Sequence, residues 1–213
     1  VTGTKTISEL LEIAKKIHID LSSIWYNIIL LKMQSMTHAH DEYSGSMVKV
    51  EQKLKELDEG DHFAAFDRNL EGKALLVKAD TEEELTRIQN DYIRKMKDLL
   101  GDYSHVRYFA GIGMPVNRLS ELPASFESAS HAFAHRYLTR ESGIWNYQDI
   151  EQKKHQIDDF NIGSVNAKEL DRNKLRDFLK FGDKNEVVYF VEEYINDLGN
   201  NAMKSNMFRQ YLV

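Results

Sequence analysis

Asp67 and Glu71 bracket the turn Asp67-Arg68-Asn69-Leu70-Glu71-Gly72, and carboxylates at a hairpin tip are groups that could hold a divalent cation. Asp and Asn also favour such tips for backbone reasons, so both acids read as solvated turn residues. His38-Ala39-His40-Asp41 invites a zinc reading, because histidines one residue apart project in similar directions along an extended segment. A metallohydrolase pattern would need a further Asp and His just downstream, where this chain has Glu42 and Tyr43. The stretch reads as a polar loop. His131 and His135 lie four apart on a helical stretch, with Glu127 one turn earlier. A zinc-protease helix carries Glu directly after its first His, and that position is Ala132, so no general base is in place. This pair reads as a solvated helix face flanking a stripe of alanines. Gly111 and Gly113 resemble a phosphate loop only superficially: a third glycine is missing and Pro115 removes a donor amide. Their expected role is steric, close packing at a strand end followed by a tight exit. No catalytic, cofactor-binding or metal-binding residue is therefore expected.

The elements that would position these residues follow from periodicity. Ile7, Leu10, Leu11, Ala14 and Ile17 predict a leading amphipathic helix over 6–17. Residues 24–33 are apolar on both alternating faces, as in a central strand covered on each side. A polar loop over 34–46 precedes a helical stripe of Met47, Val50, Leu54 and Leu57. Strands at 63–66 and 74–77 flank the hairpin turn. Asp80 is the expected cap of a helix burying Leu85, Ile88, Tyr92, Met96 and Leu99. A strand at 105–110, a helix at 122–138 and an edge strand at 144–147 complete the series. The order strand, helix, strand, strand, helix, strand, helix is the split βαβ arrangement, an α+β sheet of four or five strands under packed helices. Residues 151–165 read as polar loop, and 170–181, 187–198 and 203–212 as three helices without an intervening strand.

The run Ala110-Gly111-Ile112-Gly113, then Leu119-Ser120-Glu121-Leu122-Pro123-Ala124-Ser125-Phe126, then Ala129, Ala132 and Phe133, resembles the last strand and helix of GGDEF-type domains. It is most similar to the degenerate GGDEF-like domain in the centre of YesN-type AraC-family response regulators, with relatives in PucR and CdaR regulators. The tail, Phe178-Leu179-Lys180-Phe181-Gly182-Asp183-Lys184 followed by 187–198, is similar to that family's helix, Gly-Asp turn and next helix. The resemblance implies a ferredoxin-like βαββαβ core at 21–150, a leading linker helix at 1–20 and a helical linker at 151–213. It further implies a regulatory module between a receiver and a DNA-binding domain. A working cyclase of this kind needs acids at the end of its first strand, where this chain reads Leu31-Lys32-Met33-Gln34, and paired glycines at the hairpin, which are missing. The resemblance thus implies the fold without the catalysis. Alternatives are a small-molecule sensor of the PucR or CdaR kind and, less in keeping with the residues, a nucleotide cyclase or hydrolase using Asp67, Glu71 or the His38 and His40 pair.

Bulk properties bound the class more broadly. With 42% hydrophobic and 29% charged residues the 213-residue chain has a globular composition. Its net charge of -6, with both signs interspersed, argues against direct nucleic-acid binding. It has no cysteine, no apolar run of the roughly 18 residues that span a bilayer, and no signal peptide, so a cytoplasmic setting is expected. Val1 at the start and the apolar Met207-Phe208-Arg209-Gln210-Tyr211-Leu212-Val213 at the end suggest a fragment of a longer chain. The aromatic and methionine content of the last helices leaves two readings open: packing on the domain's own core, or a homodimer or interdomain surface.

Overall fold

The computed structural model describes residues 7–16, 19–35, 45–137, 141–157, 172–191 and 194. Its elements run α1 (Ile7–Lys16), β1 (Trp25–Ser35), α2 (Gly45–Asp58), β2 (Phe63–Asp67), β3 (Lys73–Ala79), α3 (Glu82–Gly101), β4 (Val106–Ile112), α4 (Leu122–Ala134), β5 (Gly143–Asn146), α5 (Tyr147–Ile157) and α6 (Arg172–Phe181). The segment from β1 to β4 is the expected ferredoxin-like βαββαβ core, and β5 adds a fifth strand to give the order β2-β3-β1-β4-β5. All neighbours are antiparallel except β4 and β5, which run parallel. Among the described residues no helix is long and apolar enough to cross a membrane.

β1 is apolar on both faces because both are covered. Ile29 and Leu31 point into a core with Leu75, Val77, Leu85, Tyr92 and Met96, under α2 and α3. Tyr26, Ile28 and Leu30 face the opposite side, packed with Leu76, Phe109, Ala129 and Phe133 beneath α4. Gly111 explains how closely α4 approaches: a Cβ there would stand 2.5 Å from both the Ala129 carbonyl oxygen and the Phe133 amide nitrogen. At Gly113 an added Cβ would run into the Ser125 carbonyl. The steric role expected of both glycines is what the packing shows.

Beyond Ile112 the β1–β4 ladder is patched by α4. Gly113 N–H still donates to the Ile28 carbonyl at 2.9 Å, but the Ile28 amide donates instead to Ser125 Oγ at 3.0 Å. Ser125 Oγ in turn donates to the Met114 carbonyl at 2.7 Å, and Ser128 Oγ accepts the Met114 amide at 2.8 Å. Pairing then resumes between Tyr26 and Val116. Two serines of the alanine-rich helix thus satisfy backbone groups where the strand departs, which buried polar backbone requires.

Several expectations need correction. α3 is capped by Thr81, whose side chain accepts the Glu84 amide at 3.2 Å, and not by Asp80. Leu100, not Leu99, reaches the deep core on that helix. β1 extends through Gln34 and Ser35, which pair with Arg107 and Val106, and α2 starts at Gly45, so both ends of the loop expected at 34–46 belong to regular elements, and 36–44 lie outside the described residues. The polar stretch from Glu151 is helical to Ile157, as the end of α5. Residues 187–191 are helical as expected. The helix expected at 203–212, and His38, His40 and Asp41, lie outside the described residues.

Candidate functional site

The hairpin between β2 and β3 turns through Asn69, which has φ 55°, and Gly72, which has φ 90°. A side chain at Gly72 would collide with the Leu31 carbonyl of β1, so glycine is required both for conformation and for contact. Asp67 behaves as expected of a turn residue: it is exposed and its carboxylate accepts the Asn69 amide at 2.7 Å. Glu71 does not. Its carboxylate pairs with Arg68 at 2.6 Å, and the same guanidinium reaches Asp183, just past α6, at 3.3 Å. Arg68 also lies over the Phe126 ring of α4, 5.3 Å from its centroid. A turn expected to be solvated is therefore tied to α4 and to the C-terminal segment.

Lys32 approaches this group from β1. Burial pushes its amine below the usual lysine range, and the nearby Arg136 adds to that while Glu186 and Glu71 oppose it. Burial pushes the Glu71 carboxyl above the usual range, reinforced by a hydrogen bond with Asp183 and opposed by Arg68. Arg136 completes the cluster: its two terminal nitrogens donate to Glu186 Oε1 and Oε2 at 2.9 and 2.6 Å. The guanidinium also donates to the Phe133 carbonyl at 3.0 Å and is stacked over the Phe133 and Tyr137 rings. Fork geometry and ring stacking are the properties that distinguish Arg from Lys at such a site.

Apolar contacts hold the same segment down. Phe178 of α6 stacks on Phe190 at 4.0 Å with ring planes 1° apart, and Tyr137 meets both rings edge-on. The Gly182 amide donates to the Phe178 carbonyl at 2.7 Å, which ends α6 and aims the chain toward Glu186.

The histidine pair on α4 departs from the expected solvated face. His131 is 5% exposed and sits in the buried alanine-rich face, stacked on Tyr189 at 4.8 Å and edge-on to Tyr147 at 5.4 Å. His135 stacks on Trp145 at 6.1 Å. Glu127, one turn earlier, accepts a 2.8 Å hydrogen bond from the Tyr189 hydroxyl and is exposed. Tyr189 belongs to the C-terminal segment and, with Tyr147, packs against the histidine. Among the described residues no group of three His, Asp or Glu side chains is placed to hold a metal ion.

Arg68, Arg136, Asp183 and Glu186 were not singled out by sequence reasoning. Their charges are spread over more than a hundred residues, and only the Gly182-Asp183 turn leaves a local trace. No curated protein matches the chain. The model of the GGDEF-like domain family matches residues 2–134, from before α1 to the end of α4. That match spans more than half of the 213 residues and takes in the βαββαβ core and the Gly111 strand end, with β5 beyond it: the chain belongs to the GGDEF-like domain family.

Proposed function

We propose that this GGDEF-like domain is a non-catalytic coupling module of a bacterial transcription regulator. In that reading it works in the cytoplasm between a receiver and an AraC-type DNA-binding domain of a YesN-like response regulator. The carrying observation is the content of the strand-end and hairpin region. Lys32 stands where a cyclase needs a metal-binding acid, and Arg68 and Arg136 lie beside it. A divalent cation brought to this end of β1 would meet the Lys32 amine where a cyclase presents a carboxylate, and would have to compete with Arg68 and Arg136 for the acids beside them. The nearby acids Glu71, Asp183 and Glu186 are engaged by Arg68 and Arg136.

The same contacts give the module a way to transmit position. Residues 172–191 are latched to the sheet domain by charge and by stacked rings, while Leu179 and Val188 on the same segment remain 76% and 63% exposed. Those apolar side chains supply a surface for a second copy of the chain, and paired half-sites on DNA call for a symmetric link of that kind. The reading is tested by incubating the purified chain with GTP or ATP and magnesium or manganese, and by sedimentation at rising concentration. Unchanged nucleotide and a growing dimer fraction are expected. A cyclic product lost on Glu71→Ala overturns the non-catalytic assignment; a strictly monomeric chain overturns the pairing.

A further inference from the structure

We propose that the cavity between α1 and the start of β1 binds a small anionic amphiphile, a molecule with an apolar body and one acidic head. The cavity measures about 700 Å³, within the usual range for small-molecule sites. Leu11 and Ala14 of α1, Ile19 and Leu21 of the following segment, and Leu119 from across the opening give it apolar walls. Tyr26 also lines it and is 2% exposed. Its hydroxyl donates to the Leu21 carbonyl at 2.7 Å and also contacts the Ser23 carbonyl, so its polar end is already used.

The charge on the lining is net positive, with Lys15 and Arg118 against Asp20. Lys15 and Arg118 both line the cavity and are exposed, and neither side chain makes an ion pair or hydrogen bond with the described residues. The acid there is Asp20. Its carboxylate takes the Ser22 amide at 3.0 Å and the Ser22 hydroxyl at 2.9 Å, and these bonds, ahead of the nearby Lys78 charge, hold it below the usual carboxylate range. Lys78, nearly buried, donates to the Asp20 carbonyl at 2.5 Å. With the Asp20 carboxylate turned to its own Ser22, the two cations outnumber the one acid that borders the apolar hollow, and among the described residues neither is ion-paired. An acidic head would sit between them while its carbon body covers Leu21 and Leu119. Such a ligand would bridge α1 and the 117–119 segment. Along β1 the site lies about 17 to 20 Å from the Lys32 region, given a rise of about 3.3 Å per residue, so it is separate from the cluster described above and stands or falls without the coupling reading.

The test is calorimetric titration of the full chain with sodium decanoate and with anilinonaphthalene sulfonate, beside decanol and decyltrimethylammonium. Saturable binding of at least one anion at one per chain is expected, with the cation binding at least about tenfold more weakly, the worth of one charge-assisted contact. Amide shifts in labelled protein should cluster at 19–26 and 117–119. Arg118→Glu should weaken the anion by about tenfold or more, and Lys15→Glu should do so independently, while Arg107→Glu on β4 should not. No saturable binding of either anion, equal binding of the cation, shifts centred on residues 172–191, or unchanged affinity in both charge reversals would each overturn the proposal.

Discussion

Arg136 and Glu186 are 50 residues apart in sequence and form a two-pronged ion pair with only 5% and 1% of their side chains exposed. An isolated charge at either position would be stranded in a nearly dry site. Glu186→Gln or Arg136→Met alone should therefore cost about 3 to 5 kcal/mol, whereas replacing both by apolar residues should cost much less. Urea unfolding checks the energies. Hydrogen exchange should show faster opening at 184–191 in the single variants, because the pair is what closes the C-terminal segment onto the sheet domain.

Ala129 is fully buried against Gly111. Ala129→Phe should overpack that contact by about 1 to 3 kcal/mol, and Gly111→Ala should be destabilising as well, since the nearest obstacles are backbone atoms of α4. Thermal unfolding unchanged in either variant would mean that α4 does not pack on β4 through this stripe.

Ser125→Ala removes the acceptor of the Ile28 amide and a donor to Met114. The loss should be about 1 to 3 kcal/mol, the cost of leaving a buried backbone group unpaired. Ser120→Ala, on an exposed position, is the comparison and should be silent within about 0.5 kcal/mol.

Tyr92 predicts alkaline sensitivity. Burial first, then the charge of Asp58, then the 2.8 Å hydrogen bond to that carboxylate hold its phenol well above the usual range. A raised native value means that the folded protein keeps a proton that the unfolded chain gives up near pH 10, so the stabilisation is complete below about pH 10 and is lost as pH rises beyond it. Burial likewise raises Tyr137. Denaturation midpoints measured across this range should fall, with tyrosinate absorbance appearing together with unfolding. Tyr92→Phe should flatten part of that decline.

The sheet domain was readable because its signals are local. Two glycines before a Leu-Pro-Ala-Ser helix start, the two-sided apolar run of β1 and the hairpin each leave a trace within a few residues. α5 was missed because Tyr147–Ile157 is mostly polar, and such a helix is hard to distinguish from a loop by periodicity. The burial of His131 was missed for another reason: its ring neighbours, Tyr147 and Tyr189, come from other elements, the second from a distant segment. The Lys32, Arg68 and Arg136 cluster belongs to the same class, since pairing between remote charges has no period to detect. Sequence reading located the hairpin and the strand end correctly but could not see that the C-terminal segment closes over them.

The central place of β1 has a kinetic consequence. One edge of β1 pairs with β3, and the other pairs with β4, bringing Ile29 opposite Ile112. During synthesis the first edge can zip up while the second still presents unpaired amides and carbonyls beside a nearly continuous apolar strand. Contacts of such long sequence separation form late and slow the folding of mixed α/β domains. Until Ile112 has left the ribosome, the open edge of β1 is the point at which a nascent chain is most exposed to wrong partners, and the place where a chaperone would have most to protect.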